Sequence, residues 1–132
     1  RQRQMCIRDR QKVIGLTEEL GLPLLGGTEM NSPGQKFVDD FECPELSPYH
    51  PIFLSGSRIL HAHSTLQRLC GMGYLSDWAN DQFAEVGDKN RFYDEFGEVF
   101  FPRADGPLAD SLSSEMGASE VLALARESMA KV

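Results

Sequence analysis

The sequence predicts a mixed α/β fold in which one helix–strand unit is followed by a mainly helical region. In residues 11–20 the apolar side chains recur at helical spacing, and Gly21 and Pro23 supply a stop. Residues 22–28 are a short apolar run bounded by Gly and Pro, which is typical of a strand buried on both faces. From Ser47 onward the apolar residues follow the helical period instead. A helix, a short turn and a buried strand make half of an α/β repeat.

The composition limits the partners of the chain. It has 132 residues, 41% of them hydrophobic, which is enough for a modest core. Its formal net charge of −7 disfavours nonspecific binding to nucleic-acid phosphates. No apolar run approaches the roughly 18 residues that span a bilayer. Cys43 and Cys70 have no metal-ligand spacing, and no secretory segment is present. We therefore expect a cytoplasmic protein that binds neither nucleic acid nor a membrane.

The first ten residues, RQRQMCIRDR, differ from everything that follows. They hold four Arg and one Asp, whereas the other residues hold 9 Lys and Arg against 19 Asp and Glu. The decapeptide resembles the translation of a transposon-type sequencing adapter, AGA CAG AGA CAG ATG TGT ATA AGA GAC AG. We therefore predict an artefactual segment at 1–10, the end of an α/β domain at 11–45 and a helical C-terminal extension at 46–132. In this interpretation the N-terminal part of the domain is missing upstream of Gln11.

The helical region has recognisable boundaries. Ser47 can cap a long helix that has Pro48 at its first position and runs to about Cys70, before Gly71 and Gly73. A break at Ser55-Gly56-Ser57 would instead leave residues 58–61 extended, and the two alternatives stay open at this point.

Three shorter helices are predicted after that long one. Ser76 caps the first, Asp88 caps a second that ends before Gly97, and the third runs from Ser119 to about Lys131. Residues 31–45 and 97–117 are rich in Gly, Pro and small polar residues, so we interpret them as loop and linker.

Glu29 is the first candidate for chemistry, because it follows the predicted buried strand directly. Ligands of parallel sheets lie beyond the carboxyl ends of the strands. A carboxylate there needs a compensating metal ion, a Lys or Arg, or backbone N–H groups, unless it is simply solvated. The paired Asp39 and Asp40 in the following loop could add a ligand, although such pairs are usually solvated or capping.

The motif G-T-E-M-N-S-P-G at residues 27–34 resembles the E-x-N-x-x-G segment of the PHP family, the polymerase-and-histidinol-phosphatase metal-dependent phosphoesterases. This resemblance implies that residues 11–45 are the last helix–strand unit of a (β/α) barrel-like domain. It also implies that Glu29 is a metal ligand and that Asn31 orients the substrate. The implied cofactors are divalent Mn, Zn, Mg or Fe ions, and the implied partner is a small phosphorylated substrate. The family's HxH motif and its Gly-Ser-Asp-x-His segment are absent from this sequence.

His61 and His63 form the second candidate site. On a strand, residues at i and i+2 face the same side and can chelate one ion, whereas on a helix they point about 200° apart and cannot. His63 lies nearer than His61 to the apolar face of the predicted long helix, so it is the candidate metal ligand. The alternative is that His63 is a hydrogen-bonded residue at the boundary of the core. Arg58 is a candidate substrate-binding residue for a phosphate, or else a surface ion-pair partner.

These residues lead to two functional expectations. The first is the C-terminal fragment of a metal-dependent hydrolase acting on phosphoesters, inactive as given because one carboxylate cannot hold a metal cluster, so that this fragment itself binds no metal. The residues of this sequence do not distinguish phosphoester hydrolysis from sugar or small-carbonyl chemistry on a similar barrel. The second is an acidic helical protein-interaction or regulatory module, in which the helices from Ser47 onward form the working surface and nothing is catalytic.

Overall fold

A computed structural model describes residues 2–27, 32–34, 40–100, 108 and 110–130. Within these ranges every regular element is helical, and no β-strand occurs. The elements are α1 (Gln2–Glu19), a 3-10 turn (Ser47–Tyr49), α2 (His50–Cys70), α3 (Asp77–Gln82), α4 (Val86–Phe100) and α5 (Ala118–Ala130).

The predicted strand is not formed, so the prediction of a last helix–strand unit of a (β/α) barrel is wrong. Residues 22–27 are extended, but they join no ladder with any other described residue. They pack instead against α2 and against the turn that contains Phe41. A methyl group built on Gly26 would lie 2.8 Å from the Phe41 ring and 3.2 Å from the Phe53 ring, and one built on Gly56 would lie 2.0 Å from the Leu24 carbonyl oxygen. An apolar run of this length fits either environment, and its periodicity does not distinguish them.

The ends of α1 and α2 follow the glycine signals in the sequence. Gly21 has φ 63°, and the Leu22 and Gly21 amides donate to the carbonyls of Thr17 (2.8 Å) and Glu18 (3.2 Å), which together make a Schellman motif. Gly71, with φ 72°, follows the last residue of α2. The long helix is confirmed, and it continues through Ser55-Gly56-Ser57. The α1 helix begins within the first ten residues, which the sequence analysis predicts to be artefactual.

The later helices lie near their predicted positions, but the prediction for α4 is wrong at both ends. This helix begins at Val86, so Asp88 lies in its first turn and is not its cap. Ser76 caps α3 by accepting a hydrogen bond from the Ala79 amide at 3.2 Å. The α5 helix begins at Ala118, where the Glu120 carboxylate accepts a hydrogen bond from the Gly117 amide at 2.8 Å. Gly97 was expected beyond the end of α4, yet it is a buried residue within that helix. It lies there because α2 approaches so closely that a methyl group on Gly97 would be 2.2 Å from the Arg58 carbonyl oxygen.

The chain divides into two compact units, which we name unit 1 (Arg1–Ser57) and unit 2 (Arg58–Val132), and α2 contributes to both. In unit 2, α4 packs against α5. The core of unit 2 is aromatic, with the Phe96 ring stacked on Phe100 at 5.6 Å between centroids and Phe92 edge-on to Tyr93 at 5.0 Å. These rings are joined by buried aliphatic residues, namely Ile59, Ala62, Leu66, Met72, Ala79, Leu108, Val121 and Ala125.

Candidate functional site

The structure separates the predicted site residues into two groups. Glu29, Asn31 and Asp39 lie outside the described residues, so their roles stay predictions. His63 and Arg58 both lie on α2, in unit 2. Because residues 50–70 are helical, His61 and His63 do not have the same-side geometry that a strand would give them.

His63 supports the turn that follows α2. Its Nδ1 accepts a hydrogen bond from the Tyr74 amide at 2.9 Å. Gly73 lies against the same ring, since a methyl group on Gly73 would be 2.9 Å from that Nδ1 atom. The hydrogen bond requires an unprotonated Nδ1, so this nitrogen is occupied by a backbone contact and is not available to a metal ion.

Arg58 is held by two carboxylates of α4. Its guanidinium lies 3.8 Å from Asp94 and 3.0 Å from Glu98, and a quarter of the side chain is exposed. A phosphate approaching Arg58 would therefore meet two negative charges together with the positive one. These ion pairs favour a structural role for Arg58, in which it links α2 to α4. They disfavour the substrate-binding role that the sequence suggested.

Tyr74, Tyr93 and Cys70 in unit 2 also have structural roles, as hydrogen-bond donors. The Tyr93 hydroxyl is buried and donates to the Met72 carbonyl at 2.8 Å, and the Tyr74 hydroxyl donates to Asn90 at 2.5 Å. Burial raises the pKa of the Tyr93 phenol, the Tyr74 phenol and the Cys70 thiol above their ordinary values. These groups therefore stay neutral at pH 7 and act as hydrogen-bond donors, and none of them is activated as a nucleophile.

The described residues do not fit a metal centre. No three His, Cys, Asp or Glu side chains come together anywhere in the part of the chain that the structure describes. A divalent cluster needs several such ligands at once. Neither His63 nor Arg58 therefore has a partner set for the chemistry that the sequence suggested.

Among the described residues, a mainly apolar cleft lies in unit 1, and the sequence analysis did not predict it. It has a volume of about 470 Å³ and is lined by residues of α1, the extended segment, the following turns and α2, namely Arg10, Val13, Ile14, Leu24, Leu25, Gly26, Gly27, Phe41, Leu46 and Phe53. Two of its lining residues, Val13 (52%) and Leu25 (46%), are about half exposed. Three other leucines of the same stretch of chain are exposed to the same degree: Leu16 (55%), Leu20 (54%) and Leu22 (54%). These residues were predicted to form a helix and a buried strand. Their apolar spacing is the sequence feature from which an apolar surface could have been predicted.

One polar contact lies at the cleft. The Arg10 guanidinium, which contributes to the lining, donates a hydrogen bond to the Glu45 carbonyl at 2.9 Å. Glu45 precedes the lining residue Leu46, and Glu42 follows the lining residue Phe41; both glutamates are exposed. The cleft is thus mainly apolar, and exposed glutamates are the chain neighbours of two of its lining residues.

A scan against protein-family models and searches of curated proteins and of solved structures find no match to this chain. Its function has to be inferred from its own residues. Among the described helices, none combines the length and the apolar character that crossing a membrane requires.

The structural role of His63 leads to a test by substitution. We expect His63→Ala to lower the free energy of unfolding by about 1–3 kcal/mol, because the Tyr74 amide loses its acceptor. His63→Asn places an amide oxygen where Nδ1 lies, so we expect it to restore at least half of that loss. Urea unfolding followed by circular dichroism measures both variants, and hydrogen exchange of the Tyr74 amide reports the bond itself. Equal destabilisation by Ala and Asn would contradict the assignment.

Proposed function

We propose that this chain is a helical protein-interaction module that binds a segment of another protein in the cleft of unit 1. The observation that carries the proposal is the exposure of five large apolar side chains within residues 13–25, two of which, Val13 and Leu25, line a cleft of about 470 Å³. Several exposed apolar side chains in one short segment, together with a concave site, are typical of protein-binding surfaces, whereas single exposed apolar residues are ordinary. Burying such side chains gains about 25 cal/mol for each Å² removed from water.

The polar residues of unit 2 support this reading, because those with described contacts hold the fold together. Arg58 pairs with α4, Arg126 pairs with Glu95 at 3.1 Å, and His63 holds the turn after α2. None of these contacts presents a nucleophile with an adjacent base, which is the arrangement that covalent catalysis needs.

Site-specific photo-crosslinking tests the proposal. The full chain carries benzoylphenylalanine at position 25 in one sample and at position 75 in the other, since Leu75 is 80% exposed and belongs to unit 2. We expect one adduct, identified by mass spectrometry and reproduced with the purified partner, from position 25 alone. Excess unlabelled chain should compete it away. The same adducts from both positions, or none from position 25, would contradict a binding surface in unit 1.

A second candidate function is metal-dependent hydrolysis of a phosphoester. The observation that favours it is the motif at residues 27–34, which begins where the extended segment 22–27 ends. Glu29 would be one metal ligand, and Asn31 would orient a small phosphorylated substrate. Since the described residues do not complete a site, the other ligands would come from outside them.

Substitution at Glu29 separates this candidate from the first. In a longer form of the protein that supplies those other ligands, we expect Glu29→Gln to abolish Mn²⁺ binding, measured by calorimetry, and hydrolysis of p-nitrophenyl phosphate. The matched control is Glu42→Gln, which makes the same change in charge at an exposed glutamate. Unchanged Mn²⁺ binding in Glu29→Gln would eliminate this candidate and leave the interaction module unaffected.

A further inference from the structure

We propose that one face of α1 pairs two copies of this chain, running in opposite directions, into a homodimer with two-fold symmetry. The face consists of Val13, Leu16 and Leu20, which we name the α1 stripe, with Lys12 and Glu19 along one side of it. Leu16 and Leu20 do not line the cleft, so a segment bound there does not account for their exposure. The pairing therefore goes beyond the proposed function and does not rest on it.

The α1 stripe lies on a side of α1 that its own unit does not cover. Within residues 9–20 Ile14 alone is buried, whereas the three stripe residues are about half exposed. A helix turns about 100° per residue, so positions 13, 16 and 20 lie within about 60° of one another and about 100° or more from Ile14. Leu20 follows the last residue of α1, but its amide still donates to the Leu16 carbonyl at 3.0 Å. Spacings of three and then four residues are typical of the seam between two paired helices.

The charges beside the α1 stripe fix where a second copy would lie. Lys12 and Glu19 are exposed and seven residues apart, so they lie within about 20° of each other on the same side of the stripe. A two-fold axis midway between them, at residues 15 and 16, places Lys12 of each copy beside Glu19 of the other. The midpoint of the stripe is one residue further along, a distance of about 1.5 Å, so the same axis brings the two stripes together.

A second copy in this orientation supplies what a two-fold interface requires, an equal apolar stripe and the complementary charge at each end. Two parallel copies in register would instead place Lys12 level with Lys12 and Glu19 level with Glu19. Exposed ion pairs contribute little to affinity, but opposed like charges are unfavourable, so these residues select the direction of pairing while the apolar stripe supplies the affinity. None of the five residues belongs to the first ten of the chain.

Sedimentation velocity of the full chain tests the pairing, from about 1 µM to about 500 µM, the range in which weak complexes dissociate. We expect a reversible equilibrium between monomer and dimer. Leu16→Gln should weaken the dimer at least about tenfold, because it places an amide in the middle of the apolar stripe. Leu75→Gln, an equal change at an exposed leucine of unit 2, should leave the equilibrium unchanged. Far-UV circular dichroism checks that each variant is folded.

Charge reversal tests the direction of pairing. Lys12→Glu and Glu19→Lys should each weaken the homodimer about tenfold, because each puts like charges at both ends of the seam. The two variants mixed in equal amounts should associate one to one, since every facing pair is then Glu with Lys. For the same reason the double variant, Lys12→Glu with Glu19→Lys, should restore the homodimer. The matched control is Glu18→Lys, on the side of α1 away from the stripe, which should leave the dimer unchanged.

The outcomes are independent of the proposed function, because the sedimentation measurements use the purified chain alone. A chain that stays monomeric at the highest concentration would overturn the pairing, and so would a dimer that Leu16→Gln leaves intact. Association of the mixed charge variants no tighter than that of either variant alone would overturn it as well. Each of these results would leave binding in the cleft unaffected, and failure of the crosslink from position 25 would leave the dimer unaffected.

Discussion

Replacement of Phe96 by Ala is expected to lower the free energy of unfolding by about 3–5 kcal/mol, the usual cost of deleting a buried aromatic ring. Phe96 is fully buried in unit 2, where its ring stacks on Phe100 at 5.6 Å and lies 6.5 Å from the Phe92 ring. Removing it takes away apolar contacts on both sides and leaves a cavity between rigid neighbours. Urea unfolding of the full chain, followed by far-UV circular dichroism, measures the change.

The control for this substitution is Leu75→Ala, at a side chain that is 80% exposed in the same unit. We expect it to change the free energy of unfolding by less than about 0.5 kcal/mol. If Phe96→Ala lost no more than Leu75→Ala, the aromatic cluster would not be the core of unit 2.

The helices of unit 2 could be predicted from sequence because their signals are local. The apolar stripe of α2, the capping hydroxyl of Ser76 and the glycine after Cys70 each act within a few residues of where they stand. Each of these features specifies one backbone conformation. Those predictions therefore needed no knowledge of what the helices pack against.

The extended segment was predicted wrongly because its outcome depends on distant residues. A run of four residues with apolar side chains followed by two glycines fits a strand in a sheet as well as it fits a segment packed on a helix. Two contacts hold the segment against α2 and the following turn. Gly56 on α2 has no side chain, so the Leu24 backbone can approach it, and the rings of Phe41 and Phe53 pack against Gly26. None of these contacts leaves a periodic signal in residues 22–27.

The candidate site residues show the same limit. The types and spacing of His63 and Arg58 were compatible with ligand binding, but spacing does not reveal which partners a fold supplies. The turn after α2 brings the Tyr74 amide to His63, and α4 brings Asp94 and Glu98 to Arg58. All three partners lie more than two helical turns away in sequence, so the structural roles of His63 and Arg58 became visible only with the fold.

Gly97 supplies the sharpest test of the packing between α2 and α4, because Gly-to-Ala changes at two positions of α4 should have opposite signs. A methyl group on Gly97 would lie 2.2 Å from the Arg58 carbonyl oxygen and 2.6 Å from its carbonyl carbon, so the helices must separate to admit it. We expect Gly97→Ala to cost about 1–3 kcal/mol in the free energy of unfolding, the range for overpacking a core.

Gly87 lies in the first turn of the same helix, with no atom within 4 Å of an added methyl group. Ala has a higher helix propensity than Gly, so we expect Gly87→Ala to stabilise the chain by up to about 1 kcal/mol. The same propensity gain applies at Gly97, where the steric cost outweighs it. Chemical unfolding of the two variants measures both effects against the wild-type chain. Stabilisation by both substitutions would mean that α2 and α4 do not approach closely at Arg58, and the pairing of Arg58 with Asp94 and Glu98 would then lose its geometric basis.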